Sequence, residues 1–490
     1  MDYEGWTKEA LIKRLRGLEQ AKAATTLEPQ ATDTQQRKKR RATEFDFGRF
    51  PQRKVALKFS YFGWPYHGLA RQGDALGSED KRQIESQYPT VEGELFRALA
   101  HCKLIDSEAT CGYSRCGRTD RGVSGFGQVA ALYVRSSGKY IDNEADIDDE
   151  GEVTQSAQNG NRRVRLPPNM CELPYVSMLN KNLPPEIRVL AWAPVAEDFD
   201  ARFSCRSRFY RYFFSEAGLD INAMRDAAAR YKGTHDFRNF CRLDPAKQIS
   251  NFERTVLHVD ITPVPPTVPV VGNGSHAEGR WWQLELRGTA FLWHQVRCMM
   301  AVLFMVGQHL ETPDIVDRLM DAQTLTGKPE YEMACDTPLV LADCTFDEKD
   351  VSWIYVRDGL RDYGNMTVLD RAVLREWGQL STRAVMAGAL LQTLRTTQVP
   401  PMTGASNDGL ATNGEATIRW ADCRERLMAT ELPGGAFSLL GGGMVKHVRR
   451  YVPLLERKRA EPVDVRNKAW LERKGARKNK RRHVASDDES

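Results

Sequence analysis

No stretch of this chain approaches the ~20 consecutive apolar residues that cross a bilayer. Its start, Met1 to Glu19, is charged from the second residue on. A membrane span and a secretory leader are therefore not expected, and a nuclear or cytoplasmic address is. Cysteine occurs 10 times, yet no two cysteines stand as C-x-x-C and none groups with histidine at zinc spacing. That scatter excludes a disulfide framework and gives no metal site, so the expected metal complement is none. Phosphate-cradling and dinucleotide-binding glycine motifs are also missing.

What is present is length, a basic tail and a patterned middle. A chain of 490 residues with 41% hydrophobic content has material for large cores and for two to four domains. The net charge of +5 is modest but unevenly placed: Lys446 to Arg482 holds fifteen Lys/Arg against four Asp/Glu. Such a tail favours a polyanionic partner. The pattern divides the chain into an N-terminal helix and basic linker (1–50), an ordered half (51–198), a second ordered half (199–348), a helical extension with a flexible loop (349–443) and the basic tail (444–490). Thr7 to Ala24 reads as a helix, and Arg37 to Arg41 (RKKRR) as an import signal, a phosphate contact or a solvated linker. A polar insert at about 136–165, with seven acidic residues between Asp142 and Glu152, reads as disordered.

Within the two halves, periodicity places the elements. Val55 to Tyr61 alternates as a strand, and Thr90 to Leu104 has helical spacing at Val91, Leu95, Ala98 and Leu99. Gln128 to Val134 is strand-like, so strand, helix and strand read as a β-α-β unit. A short helix from Val176, a strand from Ile187 and an alternating strand through Arg208, Tyr210 and Tyr212 follow. Arginines interleaved with aromatics suit phosphate contact and base stacking, and equally a half-buried strand. Ile221 to Tyr231 is helical, Gly233 to Cys241 reads as a loop, and Phe252 to Ile261 and Trp281 to Arg287 as strands. Gly288 to Leu310 turns into an apolar helix, Thr312 and Pro313 open another, and Pro338 to Phe346 is a strand. Leu369 to Thr396 and Arg419 to Thr430 look helical, with a low-complexity segment, Gln398 to Ala416, between them.

The chemistry concentrates in Tyr113 to Val129, YSRCGRTDRGVSGFGQV. Glycines flank Arg118, Asp120 and Arg121, which suits a tight, pre-shaped loop presenting one carboxylate among arginines. Taken alone, the stretch fits an active site or a surface turn with Asp120 paired to Arg118 or Arg121. Arg297, inside the apolar helix, needs a carboxylate or must snorkel to the rim, and Asp120 is the candidate partner.

Six blocks, in order, carry a resemblance: YFGWPYHGLARQ from Tyr61, SRCGRTDRGVSGFGQV from Ser114, LNKNLPPEIRV from Leu179, FDARFSCRSRFYRY from Phe199, GTHDFRNFC from Gly233 and GTAFLWHQVRCMM from Gly288. Together they resemble the tRNA pseudouridine synthase A family. The cysteine of RCGRTD, the helix LIKRLRGLE and the segment RRYVPLLERKR from Arg449 look like its eukaryotic branch, which modifies uridines 38 and 39 of the anticodon stem-loop. The resemblance implies an α+β fold of two halves with antiparallel sheets joined across a basic cleft. It implies Asp120 as the catalytic aspartate, Arg297 as its partner, Arg118 as the arginine that enters the RNA, and Tyr210 as the aromatic on the flipped uracil. Arg115 and Arg208 complete the candidate substrate-binding set. Ser124 and Gly125 depart from the family, which often has a bulkier or alanine pair there. The partner implied is tRNA, with a possible homodimer; no cofactor is implied, since the reaction is an isomerisation. The aspartate has three candidate roles, attack on C1′, attack on uracil C6, or removal of a ribose proton, and each needs the ionised form. An RNA-binding protein that has lost catalysis, or an enzyme with another RNA address, are the competing readings.

Overall fold

Strand β1 (Gln52–Tyr61) forms because its alternate residues find helices to bury against: Val55, Leu57, Phe59 and Tyr61 all face one core. The computed structural model describes residues 45–71, 88–137, 172–216, 218–265, 280–355, 368–397 and 451–474. Met1–Asp46 forms a unit of its own, and the sheet with its helices belongs to the second unit, Phe47–Ser490. The expected N-terminal helix, the RKKRR run, positions 138–165 of the acidic insert, and the segments 398–416 and 419–430 lie outside the described residues.

The first half continues with α1 (Val91–His101), where the Thr90 hydroxyl caps by accepting from the Gly93 N–H at 3.2 Å. Then come β2 (Ser114–Arg115), β3 (Ser124–Arg135), α2 (Tyr175–Asn180) and β4 (Ile187–Pro194). Both helices cover the face that carries Val55, Leu57, Leu132, Ile187 and Val189. Each such side chain contributes about 1.5–3 kcal/mol on full burial. The opposite face carries smaller groups, Ala56, Val129, Ala131 and Ala193, packed under Phe199 and Val351.

The second half comprises β5 (Ser207–Ser215), α3 (Ile221–Ala229), β6 (Gly233–Asp236), β7 (Glu253–Pro263), β8 (Trp281–Gly288), α4 (Gln295–Gly307), α5 (Ile315–Met320) and β9 (Leu339–Thr345). Strand β10 (Ile354–Tyr355) and helix α6 (Val368–Thr397) come next, and α7 occupies 463–474. Every residue of α4 is buried, Gln295 and Arg297 included, as the otherwise apolar sequence of the helix requires.

The strands form one sheet in the order β10-β4-β1-β3-β9-β5-β8-β7-β6, with β2 beside β3. Both halves are antiparallel, and they join where β3 and β9 run parallel through Ser124↔Val340 and Gly125↔Leu341. This is the α+β, two-half architecture the motifs imply, and the seam places Asp120, just before β3, between the halves. Among the described residues no helix is long and apolar enough to cross a membrane.

Three expectations are corrected. β1 and β3 pair antiparallel, so the strand–helix–strand run is not a β-α-β unit; after α1 the chain reverses through the left-handed residues Lys103 and Gly112. Gly233 to Cys241 is not a loop but β6 and a 3₁₀ turn, Arg238–Phe240, pulled into order by buried Phe237 and Phe240. The α5 cap position falls at Asp314, not Thr312, and no side-chain cap bond forms. The start of the basic tail is a packed segment: Tyr451 and Leu454 are buried in the second core. The Tyr451 hydroxyl donates to Glu311 at 2.7 Å, and 458–460 pairs with 328–330 through two backbone bonds.

Candidate active site

The loop from Cys116 to Val123 owes its shape to bonds at almost every residue. The Cys116 N–H donates to Val129 O at 2.8 Å, Gln128 Nε2 to Gly117 O at 3.0 Å, Leu69 N–H to Thr119 O at 3.2 Å and Gly122 N–H to Tyr66 O at 3.3 Å. Gly122 turns the chain at φ +78°, where a Cβ would also meet the Asp336 carboxyl at 3.0 Å. A Cβ on Gly125 would meet the Tyr61 ring at 2.7 Å, and the Tyr61 hydroxyl bonds Thr119 Oγ1 at 2.8 Å. Ser124 Oγ accepts from the Gly63 N–H at 3.0 Å. The small Ser124-Gly125 pair is therefore matched to a tyrosine laid directly on the strand.

At the tip, Asp120 has a carboxylate 30% exposed. Trp293 Nε1 donates to its Oδ1 at 3.2 Å, and His294 Nε2 lies 3.4 Å from its Oδ2. Both come from the second half, on the turn into α4, where His294 takes φ +63°. Burial, with Arg297 and Arg242 adding to it, holds the His294 pKa down to about 4, so the imidazole is neutral near pH 7. Asp120 is pushed up from the ordinary carboxylate range by desolvation, opposed by the charge of Arg297 and by the Trp293 bond.

Arg297 is buried, as expected, but its direct partner is different. Its Nη2 lies 3.6 Å from Asp336 Oδ2 and its Nε donates to Ala334 O at 2.8 Å. Asp120 feels it only as a nearby positive charge, because Asp336, beside Gly122, stands under the loop and takes the guanidinium first. Arg118 is exposed, and among the described residues its guanidinium has no hydrogen-bond or ion-pair partner. Tyr210 is half-buried and edge-on to Phe291 at 5.1 Å, and desolvation pushes its phenol pKa up, with the Asp120 charge a minor addition. Its strand neighbour Tyr212 is core, packed on Phe304.

Arg115 and Arg208 are engaged within the protein. Arg115 pairs with buried Glu92, which also accepts from the Tyr113 hydroxyl at 2.9 Å and the Arg71 N–H at 3.0 Å. Arg208 donates to four backbone carbonyls: Cys116 at 2.9 Å, Arg202 at 2.8 Å, Thr289 at 2.7 Å and Cys205 at 3.5 Å. It thus clamps the start of the Asp120 loop to the second half, work that leaves its donors little for a phosphate. The contacts made by Trp293, His294, Asp336 and Glu92 were not read from sequence. For Trp293 and His294 the available signal was their place in the GTAFLWHQVRCMM block.

Aromatics border the loop, Trp64 and Phe126 exposed and Phe62 half-buried. Phe62 stacks on Trp64 with centroids 5.0 Å apart, and Phe126 stands edge-on to Phe62 at 6.0 Å. On the His294 side a cleft of about 470 Å³ is lined by Arg238, Arg242, Lys328 and Arg466 together with Glu330, Glu332 and Glu461.

A family model described as tRNA pseudouridine synthase matches residues 227–347. The chain is 37% identical over 480 residues to a tRNA pseudouridine(38/39) synthase of Homo sapiens, covering 95% of this chain and 88% of that protein. It is 40% identical over 363 residues to the Saccharomyces cerevisiae protein of the same name, with 71% and 72% covered. A tRNA pseudouridine synthase A of Methanosarcina mazei is 30% identical over 327 residues, with 66% and 96% covered.

Proposed function

Since the chain belongs to the tRNA pseudouridine synthase family, we propose that it isomerises uridines 38 and 39 of tRNA and that Asp120 is the group that starts the reaction. The reaction breaks the N1–C1′ bond, turns the uracil and joins C5 to C1′; the C5 proton is lost to solvent and N1 takes one up. No electron acceptor or hydrolysable nucleotide enters that balance. Attack on C1′, attack on C6 and removal of a ribose proton all start from an ionised carboxylate. The observation that carries the reading is Asp120 itself: a half-sheltered carboxylate at the seam, with one hydrogen-bond donor, a neutral imidazole and a buried cation nearby. Its carboxylate stays partly exposed, so a nucleoside can reach it.

A base inside a stem or at its loop junction must first be unstacked, at a cost of a few kcal/mol. Arg118 enters the space the nucleotide leaves and binds its phosphates, and Tyr210 packs on the extruded uracil. Arg297 positions and charges the site from beneath. The anticodon stem-loop is the part of tRNA engaged, with Phe62, Trp64 and Phe126 as a stacking border. A homodimer is also proposed, on the observation that α6 exposes Val373, Leu374, Trp377, Val385, Met386 and Leu390. Light scattering of the intact protein tests this: twice the chain mass is expected, and a monomer at micromolar concentration would remove it.

The experiment for the activity is single-nucleotide mapping of pseudouridine in transcribed tRNA after incubation with the protein. Modification at 38 and 39 is expected. Modification at other positions would correct the address, and none at all would overturn the reading.

A further inference from the structure

Cys116, Cys205 and Cys344 lie far apart in the chain, yet their sulfurs stand within 4.8 Å of one another and all three residues are buried. They belong to the three segments that meet at the seam: Cys116 opens the Asp120 loop, Cys205 ends the turn before β5, and Cys344 lies in β9. The isomerisation uses none of these thiols. Three sulfurs at about 2.3 Å from a central ion, in one plane with it, stand about 4.0 Å apart, a triangle that fits within the 4.8 Å spread of these three. No histidine, aspartate or glutamate among the described residues joins the group as a fourth ligand. Arg208 borders all three, donating to the carbonyls of Cys116 and Cys205 and standing opposite Cys344 in the β5–β9 register. Three thiolates around one cation leave excess negative charge, and the half-buried Arg208 guanidinium beside them offsets part of it.

We propose that Cys116, Cys205 and Cys344 form a binding site for a soft, thiophilic d10 metal cation. Binding exchanges three S–H bonds for three metal–sulfur bonds and releases three protons to solvent; no electron moves. An all-sulfur set selects Cu(I) and Zn(II) over the hard cations that prefer oxygen. Three-coordination suits Cu(I), whereas Zn(II) takes a fourth, external ligand. A bound ion would staple the catalytic loop to both halves of the sheet and so stabilise the folded seam by linkage. The competing account is that the three cysteines are simply small apolar side chains, packed with Ala56, Val129 and Leu341.

The test uses intact, reduced, metal-free protein, titrated separately with Cu(I) and Zn(II) against chromophoric chelators, with Cys205→Ser and Cys344→Ser alongside. One equivalent of at least one cation is expected in the wild type, with a rise in melting temperature. Affinity should fall at least about tenfold in both variants, each removing one of three ligands. Uptake of neither ion, or uptake unchanged in the variants, would overturn the proposal. Metal-edge X-ray absorption of the loaded wild type requires no variant: a shell of three sulfurs is expected, and a shell dominated by nitrogen or oxygen would contradict the site.

Discussion

Two carboxylates in the first half sit among arginines, and the fold treats them in opposite ways. Glu92 on α1 is 3% exposed and accepts from Arg115, from the Tyr113 hydroxyl and from the Arg71 backbone. Asp120 is 30% exposed, accepts one bond from Trp293 and has a neutral histidine at 3.4 Å, while Arg118 and Arg121 beside it point outward. A saturated carboxylate stabilises the folded chain and has nothing left for a ligand. An under-coordinated one, desolvated so that its pKa rises, stores reactivity at some cost in stability. The difference is one of coordination: Glu92 is saturated by its neighbours and Asp120 is not.

The contrast can be broken at either end. The largest effect should follow Asp120→Asn: single-turnover isomerisation should fall by on the order of 10⁴-fold or more, as when an essential nucleophile or base is lost. The variant should melt at or above the wild-type temperature. Because the folded state raises the Asp120 pKa, ionising it costs stability, which declines as pH rises through the raised value, and the amide escapes that cost. Glu92→Gln should do the reverse, leaving single-turnover chemistry within a few-fold but lowering stability by about 2 kcal/mol as Arg115 loses its partner. Denaturant melts of the two variants, side by side, check the inversion.

Arg118→Ala should come next, reducing kcat/KM by about tenfold or more and flattening the salt dependence of tRNA binding while the melt stays unchanged. An unaltered salt slope would remove Arg118 from the RNA contact. Trp293→Phe should have the smallest effect. The pH profile of the single-turnover rate should show an acid limb above the ordinary carboxylate range, and loss of the Trp293 donor should move that limb higher still.

The basic tail offers a similar division by truncation. Ending the chain after Lys474 should leave the melt unchanged and weaken tRNA binding in a salt-dependent way. Ending it before Tyr451 should lower stability, because Tyr451 and Leu454 belong to the core.

Most of the secondary structure was legible because it depends on local pattern: β1, α1, β5, β8, β9 and α6 lie within a few residues of where periodicity places them. The shaped loop that holds Asp120 was legible for a related reason, since its glycine-rich surroundings are contiguous. What escaped depends on residues that meet only after folding. Arg297 was expected on Asp120, but Asp336, 39 positions further on, lies directly beneath the loop. Arg115 and Arg208 stood among the candidate substrate-binding residues because a sequence shows their charge, while Glu92 and the carbonyls that they meet come into view only after folding. The β1–β3 direction was misread because alternation marks a strand and says nothing about its sense. Cys116, Cys205 and Cys344 carry no spacing signal at all, for three strand ends and turns deliver them to one point.

The most direct test of the central claim is tritium release from tRNA labelled at uracil C5, measured under single-turnover conditions with wild type, Asp120→Asn and Glu92→Gln. Release by wild type and Glu92→Gln, with none above background from Asp120→Asn although it binds tRNA normally, is the predicted result. Release from Asp120→Asn at the wild-type rate would contradict the account, because it would place the chemistry on some group other than the under-coordinated carboxylate at the seam.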